Sequence, residues 1–285
     1  MNRIVAVLCI ACVCLLGCGA VVLASDDDVS FVLAGANGTI QWDDGIILAK
    51  GTGVPPAGAL SMPQAQAMAV RAATLEARRN LLDTVRNIQI SGSERASEIL
   101  DRTPAMMKQV SGLIQNSKIA GRKVFPDGSV DVYVTLAFGD GVLEQLLPAA
   151  LPFTPAEPAA REAHDNEAAG LRVTGVIIDA RGTGVTPAVL PRVLSSDGRI
   201  VYSLKQTMRG NVFSHGLALY AASPDAEQVQ SMVGGSPLVV KAVGLAENSV
   251  TDIVVDEASA SFLASASGRL ALAQCRVAVI FDPVN

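Results

Sequence analysis

The chain has 285 residues and a formal charge of −5, with 50% hydrophobic and only 17% charged residues. That length supports two domains of ordinary size, each with its own core, and an acidic balance without a Lys/Arg cluster argues against nucleic acid as the main partner. Aromatic residues make up 4%, so the cores must be built from Val, Leu, Ile and Ala, and 25 glycines with 14 prolines predict many turns.

The first residues read as a leader rather than as part of the fold. Arg3 supplies a basic start and Ile4 to Leu16 an apolar stretch. Leu15-Leu16-Gly17-Cys18 has the form of a lipobox, which would lipidate Cys18 and attach the chain to a membrane. Val22-Leu23-Ala24 before Ser25 offers an ordinary signal-peptidase site, giving a signal peptide of residues 1–24. An uncleaved anchor over Ile4 to Ala24 is the third reading, because that length can just span a bilayer. All three place the folded part outside the cytoplasm, in the periplasm or at the outer membrane. Cys9, Cys12, Cys14 and Cys18 fall inside this leader, where an apolar setting argues against a metal site.

After the leader, Gly38 to Trp42 and Ile46 to Lys50 flank Asp43-Asp44-Gly45, a hairpin signal. Trp42 is expected at the edge of that sheet. Pro63 to Ile88 predicts a long helix, with Ser61 as its cap and proline in its first turn. Apolar Met68, Ala72, Leu75, Leu82 and Val85 recur at helical steps and predict the buried face. Arg71, Arg78, Arg79 and Arg86 keep charge mostly off that face and form a candidate docking surface, with Glu76 positioned to pair with Arg79. Alanines along this helix predict close packing against a sheet. NIQISGSER reads as a short strand or loop, and Glu94 to Asn116 as two helical pieces broken near Pro104. Ile119 to Phe125 and Val130 to Phe138 flank Pro126-Asp127-Gly128, and the second strand alternates apolar with polar residues. Gly141 to Leu147 predicts a short closing helix. The β-β-α-α-β-β order over residues 35–147 predicts an α+β domain with helices on one face of an antiparallel sheet.

Residues 148–170 read as a linker, with Pro148, Pro152, Pro155 and Pro158 followed by a polar run. A β-rich domain is expected over 171–285. Its strands are predicted at Val173 to Ile178, Val189 to Leu194, Ile200 to Leu204, Leu238 to Gly244, Ile253 to Val255 and Arg276 to Phe281. Helical signals lie near Asp225 to Met232 and Asp256 to Ala266.

The sequence presents no catalytic constellation, no metal set and no cofactor motif. His164 lies in the linker, and His215 stands beside Ser214 with no acidic residue nearby and no nucleophile elbow. Asp179-Ala180-Arg181-Gly182-Thr183-Gly184 follows a strand, as a dinucleotide-binding turn would. It lacks the third glycine, and Pro187 interrupts the helix such a turn needs. A tight turn with Asp179 and Arg181 paired fits better. Among Asp252, Asp256 and Glu257, Asp256 reads as a helix cap. Cys275 sits in an apolar strand pattern as a buried small residue.

The stretches GTIQWDDGIILAKGTGVPP, AVRAATLEARRNLLDTVRNIQISG and SVDVYVTLAF resemble the N-terminal domain shared by flagellar assembly protein T and a group of outer-membrane LPP-type lipoproteins. TGVIIDARGTGVTPAVLPRVLSSDGRIVY and GGSPLVVKAVG resemble a C-terminal extension that many members of this family carry. The resemblance implies an exported, non-enzymatic envelope protein with a structural or scaffolding role, and an envelope or flagellar basal-body protein as its partner. It supplies no catalytic residues. The alternative expectation is a periplasmic module for a small ligand or glycan, with Gly182-Thr183-Gly184 and Gly234-Gly235 lining its site.

Overall fold

A short hairpin opens the fold: β1 (Gly38–Gln41) and β2 (Ile46–Gly53) pair antiparallel across a turn in which Gly45 takes φ 63°. The computed structural model describes residues 37–59, 61–147 and 173–282. Helix α1 spans Met62–Arg86, and the Ser61 hydroxyl accepts from the Gln64 amide at its start. A small hairpin follows, β3 (Gln89–Ser91) with β4 (Glu94–Arg95). Helices α2 (Ala96–Arg102) and α3 (Pro104–Gln115) then break at Pro104 as expected. Strands β5 (Lys118–Val124) and β6 (Val130–Ala137) complete a four-stranded antiparallel sheet in the order β1-β2-β6-β5. The short helix α4 (Val142–Leu146) closes this half.

The burial of α1 corrects the sequence reading. Its buried face is Ala65, Ala69, Ala73, Ala77, Leu81 and Val85, at four-residue steps, while Met68 and Leu75 are each 48% exposed. The reason lies in β2. A Cβ on Gly51 would run into the backbone of Ala73 and Ala77, and one on Gly53 into that of Ala69 and Ala73. Helix and strand therefore touch backbone to backbone, and only alanine fits between them. Beside Gly51 and Gly53 the gap has no room for a larger side chain, and Met68 and Leu75 lie outside it. The expected Glu76–Arg79 pair is replaced for the same reason: at this separation the Glu76 carboxylate accepts from the Thr52 amide at 2.6 Å. The Asn80 amide likewise donates to the Lys50 carbonyl at 2.7 Å.

The second half is strand-rich. Its seven strands are β7 (Val176–Asp179), β8 (Val193–Ser195), β9 (Ile200–Tyr202), β10 (Leu219–Ala221), β11 (Leu238–Leu245), β12 (Ile253–Val255) and β13 (Val277–Ile280). They form one sheet in the order β10-β13-β7-β11-β12-β8-β9. The β8–β9 hairpin is antiparallel, as Ser195-Ser196-Asp197-Gly198 predicts, and so is β11–β12; the remaining neighbours are parallel. Parallel neighbours need crossovers, and helices supply several. These are α5 (Arg209–His215), α6 (Glu227–Val233), α7 (Glu257–Leu263) and α8 (Ala266–Ala273). Of these, α5 and α8 lack the spacing that marks a helix in sequence. The terminal strand β13 falls within the expected Arg276 to Phe281, whereas Cys275, read in sequence as part of an apolar strand pattern, sits in the turn between α8 and β13 at φ 54°.

The two halves share a continuous hydrophobic core. Trp42, which follows edge strand β1 as expected, is buried in that seam because the second half covers this edge. Its ring meets Phe138 edge-on at 5.5 Å and Tyr220 at 5.6 Å, and Tyr220 meets Phe281 at 5.9 Å. Four rings thus run from the first sheet into the second. Backbone bonds from Val189 to Gln89 and from Leu190 to Ile90 add the segment before β8 to the β3–β4 hairpin. The leader, with Cys18, and the expected linker 148–170 lie outside the described residues.

Candidate functional site

The candidate docking residues stand on the side of α1 opposite its alanine face. At 100° per residue, Met68, Leu75 and Leu82 share one line. Arg71 and Arg78 flank it on one side, Arg79 and Arg86 on the other. The structure does not leave all four arginines open. Arg86 is held in a two-pronged pair by Asp101 of α2, at 2.9 and 3.0 Å, which raises its pKa. Leu82 is partly covered by the core. Arg71 and Arg79 are exposed, Arg78 is half-buried, and none of the three forms an ion pair among the described residues. The open part of this face is therefore Met68, Arg71, Leu75 and Arg79, with the half-buried Arg78 at its border and no acidic residue between them.

A second site, unmarked in the sequence, lies where the halves meet. Strand β8 begins at Val193 and β12 at Ile253, and these two residues are register partners in a parallel pair. The residue before each is therefore placed side by side: Arg192 next to Asp252. The Asp252 side chain is only 1% exposed, while that of Arg192 is 49% exposed. The Arg192 guanidinium donates to Asp252 Oδ2 through Nε, at 3.0 Å, and through Nη2, and its backbone amide reaches Oδ1. The Asp252 amide donates in turn to the Ser249 hydroxyl at 3.1 Å. Burial by itself raises the carboxyl of Asp252; the guanidinium and the hydrogen bonds more than offset that, and the group titrates below the ordinary carboxylate range.

Across from this pair stands the β3–β4 turn, Ser91-Gly92-Ser93. Its approach needs glycine: a Cβ on Gly92 would lie 2.6 Å from the Ser249 hydroxyl and 3.3 Å from Asp252 Oδ2. Between the turn and the Glu247–Ser249 loop is a cleft of about 290 Å³. Asn248 there takes φ 59°, a conformation that asparagine tolerates better than most residues. A local signal for this cleft is absent because its two charged partners are 60 residues apart and its third wall comes from the other half.

Asp179 and Arg181 are paired, at 2.6 and 2.8 Å, in the tight turn that the sequence suggests. Gly182 follows the end of β7, whereas Gly234 lies against Thr174 before its start. The two glycine-rich turns are therefore at opposite ends of one strand and line no common site. Asp256 caps α7 through the Ser259 amide at 2.9 Å. Cys275 is buried, and burial pushes its thiol up to about 12, which argues against a nucleophile. His164 lies outside the described residues, as does the side chain of His215. Among the described residues no three His, Cys, Asp or Glu side chains cluster as a metal site.

Residues 175–283 match the family model described as Treponema pallidum Tp0624, second domain. The match falls on the seven-stranded half and includes both Arg192 and Asp252. No curated protein matches the chain.

Proposed function

We propose that this chain is an exported, non-enzymatic protein of the cell envelope with a structural or scaffolding role, docking a partner through the outer face of α1. The observation that carries the reading is the seven-residue repeat of Met68 and Leu75, bordered by Arg71, Arg78 and Arg79, on a face the core does not use. A helix whose apolar residues recur but stay outside its own core is suited to a partner helix or groove. These arginines, which form no ion pair among the described residues, call for an acidic partner. They also disfavour a second copy of this chain, because antiparallel self-pairing would bring arginine against arginine. The leader supports export to the periplasm or outer membrane, with attachment through a lipidated Cys18 if the lipobox is used. The resemblance of stretches within residues 38–138 to the flagellar assembly protein T and lipoprotein domain favours an envelope or basal-body protein as the partner.

The test is crosslinking in intact cells with the doubly reversed chain, Arg71→Glu with Arg79→Glu. Both sites are exposed, so stability should change by no more than about 0.5 kcal/mol per site. The wild-type chain should give a discrete crosslinked neighbour that the variant loses. A wild-type chain recovered only free, or a neighbour retained by the variant, would sink the reading.

A second reading, a small-ligand module, is favoured by the cleft between the halves rather than by the glycine-rich turns.

A further inference from the structure

The cleft between Ser91–Ser93 and Glu247–Ser249 has a composition that restricts what can enter it. Its lining is Ser, Gly, Asn, Arg, Glu and Asp, with no aliphatic or aromatic side chain. Recognition there therefore rests on polar and charged groups rather than on a hydrophobic pocket. The volume of about 290 Å³ is at the lower bound for small-molecule sites, about 300–1,000 Å³, so the occupant is small.

Arg192 is the oriented group. Its guanidinium has five N–H donors, and Nε and Nη2 are directed at the buried Asp252. Half of the side chain still faces solvent, so the remaining donors are available in a fixed direction. A planar fork held in this way is suited to a carboxylate. Glu247 stands exposed on the same wall, while the Ser91, Ser93 and Ser249 hydroxyls add neutral donors and acceptors. One guanidinium against two carboxylates leaves the cleft with a net charge of −1. That balance disfavours phosphate or sulfate, and a simple cation would leave Arg192 unused. A ligand carrying one carboxylate and one ammonium satisfies both Arg192 and Glu247.

We propose that this cleft binds a small α-amino-acid zwitterion, its carboxylate on Arg192 and its ammonium on Glu247. The site spans both halves, since the Ser91–Ser93 turn closes it, and occupancy therefore favours the docked arrangement of the halves. This inference deepens the small-ligand reading and is independent of the arginine face of α1.

Isothermal titration of the full mature chain is the test, with the free D- and L-forms of alanine, serine, glutamate and lysine, and glycine, as probes. N-acetylalanine, alanine methyl ester and glucose serve as controls. At least one free amino acid should bind, with its blocked analogues at least tenfold weaker. Glu247→Gln, at an exposed position, should reduce binding at least tenfold without changing the Tm. Arg192→Lys should weaken it too, while the Arg71→Glu/Arg79→Glu chain should bind as wild type, so that failure of docking and failure of this site are distinguishable. No binding by any free amino acid, equal binding of the blocked forms, a preference for glucose, or an unaffected Glu247→Gln chain would each overturn the proposal.

Discussion

Arg192 and Asp252 show how unevenly two partners of one ion pair contribute. Removing Arg192 leaves a carboxylate buried with no cation, a change that costs about 3–5 kcal/mol in fully buried pairs. Removing Asp252 leaves a guanidinium that is already half in solvent and can be rehydrated. We expect Arg192→Ala to destabilise clearly more than Asp252→Asn in urea unfolding, and equal losses would contradict the burial difference. The pH dependence has a definite sign. The Asp252 carboxyl titrates lower in the folded state than its ordinary value, so its contribution is present above about pH 3.9, the unfolded carboxylate value, and is lost as pH falls through the folded one. The wild-type chain should lose stability on acidification in that window, and Asp252→Asn should flatten that part of the profile.

Helix α1 turns on a contrast between its two faces. The alanine face meets Gly51 and Gly53 backbone to backbone, so adding one methyl there forces the helix off the strand. Gly51→Ala should cost about 1–3 kcal/mol, as overpacking does. Met68→Ala on the outer face should stay within about 0.5 kcal/mol, although methionine is the more hydrophobic residue. Denaturation of the two variants decides between the faces: a costly Met68→Ala with a silent Gly51→Ala would reverse the assignment. The helix itself was legible in sequence, including its Ser61 cap and Pro63. Its buried face was not, because apolar spacing marks which residues avoid water and β2 sets how much room they have. Met68 and Leu75 satisfy the periodicity and still lie outside the gap.

In the whole molecule the seam outweighs the division into halves. Trp42, Phe138, Tyr220 and Phe281 pack ring against ring across it, and backbone bonds join the segment before β8 to β3. With one continuous core, the halves should unfold together. Trp42, the sole tryptophan, reports the seam directly, while far-ultraviolet dichroism reports all helices. The two probes should give coincident urea transitions; a fluorescence change that precedes the loss of helix would show that the halves come apart first.

What the sequence determined by itself is local. Asp43-Asp44-Gly45 and Ser195-Ser196-Asp197-Gly198 made their hairpins, Pro104 broke its helix, Asp256 capped another, and β6 alternated between core and surface, because each depends on residues within a few positions of one another. Tertiary structure decided the rest: the alanine face of α1, the place of Trp42, the parallel pairing of the second sheet and the meeting of Arg192 with Asp252. Each of these is a contact between elements far apart in the chain, where backbone separation and strand register, and not the neighbouring residues, set which side chains meet.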